Sequence, residues 1–437
     1  MELLAVELLS RWQFGFTAAI HILFPSISIG LSFWLVYWYY RYLKTENEAY
    51  LKLYNFWKKI FAVGFGLGIV SGTVMTFEFG LNWSRYAHAV GPILGVIISM
   101  EVITAFFLEA GFIGIMLYAG KRVSKKVMFL ATCMVALGTL MSMTWIMSAN
   151  SWMQTPGGYE FINGQFLPKD WMAIIFNKSF VIRLLHIVLG VALTSTLVVN
   201  GVSAYYLLKK RDVYIHRRVF NQAMVFLTIL IPFQLYVGDE TALLIGLEGG
   251  QTGKLLALEG HFNDESADWL IAIDANQKEQ KNNWQFGIPK LGGLLINKDP
   301  NKPIPGLNNV PVENQPPVNT IFYTFRIMFF IAILIYIFVF AGLFARVRGT
   351  FFTSKFLQKF AVYMSPIGFV AIVCGWLTAE IGRQPFVVYG LLRTDEAYSM
   401  LTEKQVAITL SMIILIYAFA IVMYLRYFQK QVRVGLK

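Results

Sequence analysis

The feature that most restricts the fold of this chain is a series of nine apolar stretches, each long enough to cross a bilayer as a helix. They cover roughly residues 14–40, 56–80, 93–119, 127–149, 180–207, 217–238, 319–345, 357–381 and 405–427. About 20 apolar residues span the hydrocarbon layer. Because 57% of the residues are hydrophobic and only 14% are charged, the sequence predicts an all-α polytopic membrane protein.

The basic residues predict how these helices are oriented. Lys and Arg are concentrated in the short connections after the first, third, fifth and seventh stretches and in the C-terminal tail. Basic connections remain in the cytoplasm, so we expect an N-terminus outside and a C-terminus in the cytoplasm. The net charge of +12 then reflects membrane orientation, and we expect membrane lipid around the chain and no nucleic-acid partner.

One connection is much longer than the others and divides the chain into three segments. Residues 1–238 contain the first six helices, residues 239–318 form an extracytoplasmic loop, and residues 319–437 contain the last three helices. The loop holds eleven Asp or Glu residues and six Lys residues, but no Arg. Loops of this length are more often functional than mere connectors, so the sequence predicts a functional loop on the outer face.

The stretch SMEVITAFFLEAGFIG carries two carboxylates, Glu101 and Glu109, and no basic residue. An acidic residue at the centre of a membrane helix costs roughly 2.5 to 3.5 kcal/mol. Eight residues of α-helix separate the two by about 80° around the axis and about 12 Å along it. We expect a proton relay with Glu109 deeper, which Ser142 and Thr144 extend unless their hydroxyls bond back to their own helix.

Five side chains from five stretches are predicted to share one outer layer of the membrane. His21 and His186, the only histidines inside the predicted stretches, lie with Glu101 and Met328 roughly 9 to 14 Å below the outer face, and Glu380 lies near that face. A His–Met pair gives low-spin haem iron, whereas a His or a carboxylate alone leaves a position open for O2. The alternatives are a hydrogen-bonded core histidine and a methionine that only fills space.

Three arginines are candidates for anion binding in the same layer. Arg326 lies two residues before Met328 in FRIMFF, inside an apolar stretch where an arginine needs an anion. Haem propionates would supply one. Arg183 and Arg11 have the same interpretation, with a side chain that extends to the membrane surface as the alternative.

Seven motifs in collinear order resemble subunit I of cytochrome bd-type quinol oxidases. They are SRWQFGFTAAIHILFPSISIG, FEFGLNWSRY, MEVITAFFLEAGFIG, SANSWMQTPGG, VGDE, FRIM and GWLTAEIGRQP. The resemblance implies a terminal oxidase of the bacterial inner membrane that oxidises ubiquinol or menaquinol outside and reduces O2 to water. It would use cytoplasmic protons and generate proton motive force without pumping. The partners implied are a subunit II and a small single-helix subunit.

The resemblance also implies three haems near the outer face. His186 and Met328 resemble the axial ligands of haem b558, and Arg326 lies beside them. His21 and Glu380 resemble the ligands of haem b595 and haem d, in either order. The compact loop resembles the short-Q-loop branch, which includes cyanide-insensitive oxidases, so a b-type haem is an alternative to haem d.

Four further residues acquire roles from the resemblance. Glu101 lines the site of the two high-spin haems, and Trp376 belongs to the aromatic residues between the haems. Lys254 and Glu259 in GKLLALEG resemble the pair that takes part in quinol oxidation, with a solvated ion pair as the alternative. Phe386 stands where the family commonly has Trp, a change that we expect to leave the haem ligands intact.

Two other classes of function remain open from the sequence. Intramembrane carboxylates and arginines also occur in proton-coupled transporters, which would show internal repeats and bind no pigment. A membrane electron carrier would bind haem but would have no open iron position. Carbon monoxide binding to the reduced protein separates such a carrier from an oxidase.

Overall fold

The computed structural model describes residues 2–436, with the side chains of residues 2–4 and 121 left aside. Met1 and Lys437, the ends of the first and last predicted segments, lie outside these residues. Within them the nine predicted membrane helices are confirmed. They are α1 (Glu2–Thr45), α2 (Glu48–Leu81), α3 (Ser84–Ala119), α4 (Lys125–Gln154), α5 (Phe180–Leu208), α6 (Val213–Glu248), α7 (Val318–Val347), α8 (Lys355–Ile381) and α9 (Glu403–Val434).

Most of these helices are longer than the apolar stretches predicted. Polar side chains cap several of them: Asn47 accepts from Ala49 N at the start of α2, and Ser124 accepts from Val127 N at the start of α4. His88 and His216, predicted in connections, therefore lie near the starts of α3 and α6. α6 also continues past the predicted end at residue 238, so the VGDE motif is helical.

Three of the helices depart from regular α geometry. α3 contains π turns at Val102–Phe106 and Ile115–Ala119, and α6 ends in a π turn at Leu244–Glu248. α8 consists of two segments, Lys355–Met364 and Ile367–Ile381. The break falls at Ser365–Pro366, where the proline cannot donate a backbone hydrogen bond.

α1 lies at the centre of the bundle and contacts α2, α4, α5, α8 and α9. Towards Thr45 its core is aromatic: Trp38 is fully buried and stacks on Trp57 of α2 with ring centroids 6.0 Å apart. This end of the bundle is a close-packed apolar core. The other end carries the polar side chains predicted to be functional.

The segment between α6 and α7 is folded. It contains the helix Thr252–Glu259, the antiparallel strands β3 (Trp269–Asn276) and β4 (Lys281–Ile288), and the helix Leu291–Asn297. Two smaller hairpins lie at the same end of the bundle, together with the helix Trp171–Ile175. Their strands are β1 (Tyr159–Ile162), β2 (Gln165–Pro168), β5 (Phe386–Val388) and β6 (Leu392–Arg393).

Candidate functional site

Glu380, in the last turn of α8, is held by three side chains. Asn150 Nδ2 donates to Glu380 Oε1 at 2.9 Å, and Gln154 Nε2 lies 3.4 Å from the same oxygen. Arg383 Nη2 donates to Oε2 at 2.5 Å. Asn150 Oδ1 in turn accepts from Arg183 Nη2 of α5 at 2.5 Å. The structure therefore brings together Glu380 and Arg183, two of the predicted site residues, through Asn150.

Gln154 connects this cluster to the outer loop. Its side chain is fully buried, and its Oε1 accepts from Lys254 Nζ at 2.6 Å and from Gln251 Nε2 at 2.9 Å. Its Nε2 donates to the carbonyl of Ala379 at 3.2 Å, next to Glu380. Burial and the positive charge of nearby Arg183 hold the pKa of the Lys254 amine well below its usual range. The amine is thus close to the Glu380 cluster.

Glu259 pairs with Arg326. Glu259 Oε2 lies 3.6 Å from Arg326 Nη2, and both side chains are almost fully buried. Arg326 Nε donates to Leu270 O at 2.7 Å, and the guanidinium lies 4.5 Å from the centre of the Trp269 ring. Burial raises the pKa of the Glu259 carboxyl, and Arg326 opposes this shift. The alternative of a solvated Lys254–Glu259 ion pair is wrong, because each residue is buried beside a different partner.

The remaining arginines differ in environment. Arg183 is buried, and its Nη1 has no hydrogen-bond partner among the described residues. Nη1 and Nη2 of Arg326 also have no hydrogen-bond partner among the described residues. Arg11, in contrast, has a side chain 39% exposed that pairs with Glu7 at 3.4 Å. Arg11 therefore has its anion within α1, and the structure does not bring it into the Glu380 cluster.

Both predicted histidine ligands are fixed through Nδ1. His21 Nδ1 lies 2.8 Å from Ser71 Oγ, which itself donates to Leu67 O and can therefore accept from the ring. His186 Nδ1 lies 3.2 Å from Gln234 Nε2, whereas Gln234 Oε1 has no partner among the described side chains. Rotating that amide by half a turn would let Nδ1–H donate to Oε1. In both rings Nε2 would then be free to bind a metal.

Glycines face three of the predicted ligands. A Cβ atom added at Gly375 of α8 would lie 2.9 Å from Met328 Sδ, and one added at Gly238 of α6 would lie 3.1 Å from the His186 ring. At Gly72 of α2 the distance to the His21 ring would be 3.2 Å.

Side chains at these positions would crowd the ligands. The partly buried Trp376 follows Gly375 directly and lies one turn before Glu380.

Glu101 and Glu109 face the same side of α4. Ser142 Oγ donates to Glu101 Oε1 at 2.7 Å. A Cβ atom added at Gly138, one turn earlier on α4, would lie 2.4 Å from Glu109 Cγ. The predicted separation of about 80° around the helix is therefore wrong. The π turn Val102–Phe106 takes up about one extra residue, which reduces the separation to about 20°.

The two hydroxyls proposed to extend this pair behave differently. Ser142 reaches Glu101, as above, whereas Thr144 Oγ1 donates back to Leu140 O of its own helix at 2.8 Å. The Glu109 carboxyl is buried, and no hydrogen bond to it is present among the described residues. The structure thus gives Glu101 a partner and leaves Glu109 in an apolar contact.

Sequence reasoning missed Asn150 and Gln154. Both lie in the motif SANSWMQTPGG, four residues apart, so they project from the same face of α4. Two amide side chains with this spacing at the end of an apolar helix were the available indication. They were overlooked because neither is charged, although they connect Glu380, Arg183 and Lys254.

Comparison with known proteins assigns this arrangement of helices and polar side chains to a family. The family model for cytochrome bd terminal oxidase subunit I matches residues 9–436. The chain belongs to this family. It is 33% identical to cytochrome bd ubiquinol oxidase subunit 1 of Bacillus subtilis (strain 168), over 90% of this chain and 86% of that protein.

Two further relatives extend over almost the whole chain. Cytochrome bd-II ubiquinol oxidase subunit 1 of Escherichia coli (strain K12) is 30% identical over 98% of this chain and 96% of its own length. The bd oxidase structure from Geobacillus thermodenitrificans aligns with a TM-score of 0.90 and 26% identity, with all of both chains covered. The chain is thus subunit I of a quinol:oxygen oxidoreductase with multi-pass membrane topology. Cytochrome bd oxidases are haem-binding, multi-subunit enzymes that use a quinol and O2.

Proposed function

We propose that this chain is the haem-binding catalytic subunit of an electrogenic oxidase in a bacterial inner membrane, with its N-terminus outside and its C-terminus in the cytoplasm. Residues 239–318 form the quinol-binding loop between the membrane segments 1–238 and 319–437. A subunit II and a small single-helix subunit complete the complex. Ubiquinol or menaquinol is the electron donor.

The observation that carries this proposal is the state of the two membrane histidines. His21 and His186 are each engaged at Nδ1, which leaves Nε2 available as a ligand. His186 and Met328 would hold haem b558, and His21 and Glu380 would hold haem b595 and haem d, or a b-type haem in its place. When bound, the haems would supply electron transfer and an open iron position for O2.

The chain offers donors for the anionic groups of these haems. Arg183 Nη1 and Arg326 Nη1 are buried without a hydrogen-bond partner among the described residues, and Arg326 Nη2 has only the Glu259 oxygen at 3.6 Å. Buried donors without partners are rare in native proteins, and propionate oxygens would satisfy them. Together with the glycines that face the ligands, this fits a haem. The partial exposure of Arg11 makes it the weakest member of the set.

Quinol oxidation requires groups that accept protons at the outer face. Lys254 and Glu259 are both buried: burial favours the neutral amine of Lys254, and at Glu259 the Arg326 guanidinium opposes the rise in pKa that burial causes and so favours the carboxylate. A neutral amine and a carboxylate held by Arg326 can each accept a proton from a quinol hydroxyl. We infer that these two residues bind the quinol headgroup. Trp376, next to Gly375 on α8, would instead belong to the aromatic side chains between the haems.

Protons for O2 reduction would come from the cytoplasm through Glu109 and then Glu101. Both carboxylates face α4, and Ser142 is already hydrogen-bonded to Glu101. Protons are taken up from the cytoplasm for O2 reduction, and protons from quinol are released outside. Together these two steps move charge across the membrane without a pump. Two carboxylates on one helix face also fit a proton-coupled transporter, but membership of the oxidase family argues against that alternative.

A spectrum of the purified complex tests the haem assignment. His186→Ala should remove the low-spin band from the reduced-minus-oxidised spectrum, because the Nε2 ligand is lost, and should leave the high-spin bands in place. The matched control is His216→Ala, which removes another buried histidine near the opposite end of the bundle. A low-spin band that persists in His186→Ala would refute the assignment. Carbon monoxide binding to the reduced wild type separates an oxidase from an electron carrier.

A further inference from the structure

The hairpin β3–β4 runs alongside the outer part of α7. At its turn end, Ala275 N donates to Asn319 Oδ1 at 3.0 Å. Farther along, Tyr323 OH donates to Ile273 O at 2.5 Å. At the open end the Trp269 ring lies 5.2 Å from the Phe329 ring. β3 is therefore antiparallel to α7 and follows it for about 15 Å, calculated from the helical rise.

The position of this contact along α7 fixes its depth. α7 has 30 residues and is about 45 Å long, whereas the hydrocarbon layer is about 30 Å thick. Arg346 and Arg348 mark the cytoplasmic edge in the orientation proposed above. Counting back about 20 residues from Arg346 puts the outer edge of the hydrocarbon layer near Arg326. The turn end of the hairpin is then outside this edge, and Trp269 is at it.

One face of the hairpin is apolar and uncovered. Trp284, Phe286 and Ile288 alternate along β4, and their side chains are 53%, 64% and 43% exposed. Alternate residues of a strand share a face, so these three form one row, which we call the β4 row. On the other face of the hairpin Ile273 is buried, whereas Trp269 shares the face of the β4 row, paired with Ile288, and is buried against α7. The hairpin is thus apolar on both sides, although it lies in the outer loop.

Near the open end of the hairpin, α7 also exposes apolar side chains. Ile327 and Phe330 are 44% and 40% exposed, and they occupy the same depth as the open end of the hairpin. Phe330 is also in contact with Trp269, with ring centroids 6.2 Å apart. Trp, like Tyr, is enriched where proteins cross the interface between lipid and water.

We propose that the β4 row rests in the headgroup layer of the outer leaflet and contacts phospholipid. The loop would then be held against the membrane as well as against the helix bundle. Ile288 pairs with Trp269, whereas Trp284 pairs with Asp274 nearer the turn. Ile288 is therefore the deepest of the three and Trp284 the shallowest. The proposal uses the orientation proposed for α7 but none of the haem or quinol assignments.

Cysteine labelling of the complete oxidase in phospholipid nanodiscs tests the depth. The native Cys133 and Cys374 are first replaced by Ala. Single cysteines are then introduced as Trp284→Cys, Phe286→Cys and Ile288→Cys, with Lys281→Cys at the turn end as the water-exposed control. A charged maleimide should react about tenfold or more slowly at position 288 than at position 281, because only the thiolate reacts. The rates should fall in the order 284, 286, 288.

A second measurement separates lipid from a protein cover. Trypsin releases residues 282–290 as one peptide that contains the whole β4 row. With a diazirine-bearing phospholipid in the nanodisc, this peptide should carry a lipid adduct by mass spectrometry. Fast, equal labelling at all four positions would overturn the proposal, and so would slow labelling without an adduct, since another subunit would then cover the row. Neither measurement depends on turnover, so the outcome is independent of the proposed haem and quinol roles.

Discussion

Glu380 and Glu109 are both carboxylates on membrane helices, but their surroundings are opposite. Glu380 receives hydrogen bonds from Asn150, Gln154 and Arg383. Glu109 is buried, is packed against Gly138, and has no hydrogen bond among the described residues. Hydrogen bonds from its neighbours orient the Glu380 carboxylate and favour its charged form. The Glu109 carboxylate is held in place only by packing.

The difference indicates what each carboxylate can do. A carboxylate that accepts several donors, one of them an arginine, is stabilised in its charged form and is well oriented. Such a group suits a ligand. A buried carboxylate without donors gains little from being charged, and it can take up and release a proton without breaking hydrogen bonds. Such a group suits a relay. If these roles follow from the surroundings, substitutions near the two carboxylates should affect different steps of turnover.

The largest effect is expected at Glu109. Glu109→Leu should lower turnover about a hundredfold or more, the usual loss on removing a proton-transfer group, while the complement of bound haem stays normal by spectroscopy. Gly138→Val should have a similar effect with Glu109 still present, because its side chain would overlap Glu109 Cγ. The control is Gly111→Ala on α3, the helix that carries Glu109, where an added Cβ meets open space. Normal oxygen consumption by Glu109→Leu would remove it from the relay.

An intermediate effect is expected when the fixed carboxylate loses a neighbour. Gln154→Leu removes the acceptor of Lys254 and a donor to Glu380, and a buried polar group left without its partner costs about 1 to 3 kcal/mol. We expect quinol-driven turnover to fall about tenfold, with a smaller loss when an artificial donor reduces the haems. A shift in the high-spin bands would show that Glu380 has moved.

A second buried glutamine provides the control for this variant. Gln358 donates to Phe352 O at 2.9 Å near the cytoplasmic end of α8. Gln358→Leu should lower stability without a selective loss of quinol-driven turnover. Equal losses with the quinol and the artificial donor in Gln154→Leu would show that Gln154 is needed only for folding. The comparison between the two donors thus separates positioning from stability.

The sequence predicted the helices far better than it predicted the contacts between their side chains. Apolar length and basic connections were sufficient for nine spans, because the bilayer itself imposes both. The relative rotation of Glu101 and Glu109 was wrong, because a π turn depends on packing against α4 and not on any local residue pattern. The partner of Arg326 was also not predictable, since Glu259 reaches it through the fold of the outer loop.

The smallest effect is expected at Ser142, whose hydroxyl donates a hydrogen bond to Glu101. Ser142→Ala removes a single hydrogen bond to Glu101, a change of about 0.5 to 1.5 kcal/mol, so turnover should fall roughly threefold with the haem spectrum unchanged. Thr144→Val is the matched control, because that hydroxyl bonds back to Leu140 and should leave the rate unchanged. If Ser142→Ala were as inactive as Glu109→Leu, the hydroxyl would be carrying the proton itself. Glu101 would then resemble Glu380 in needing a hydrogen-bond donor. Of the two relay carboxylates, Glu109 alone would work without one.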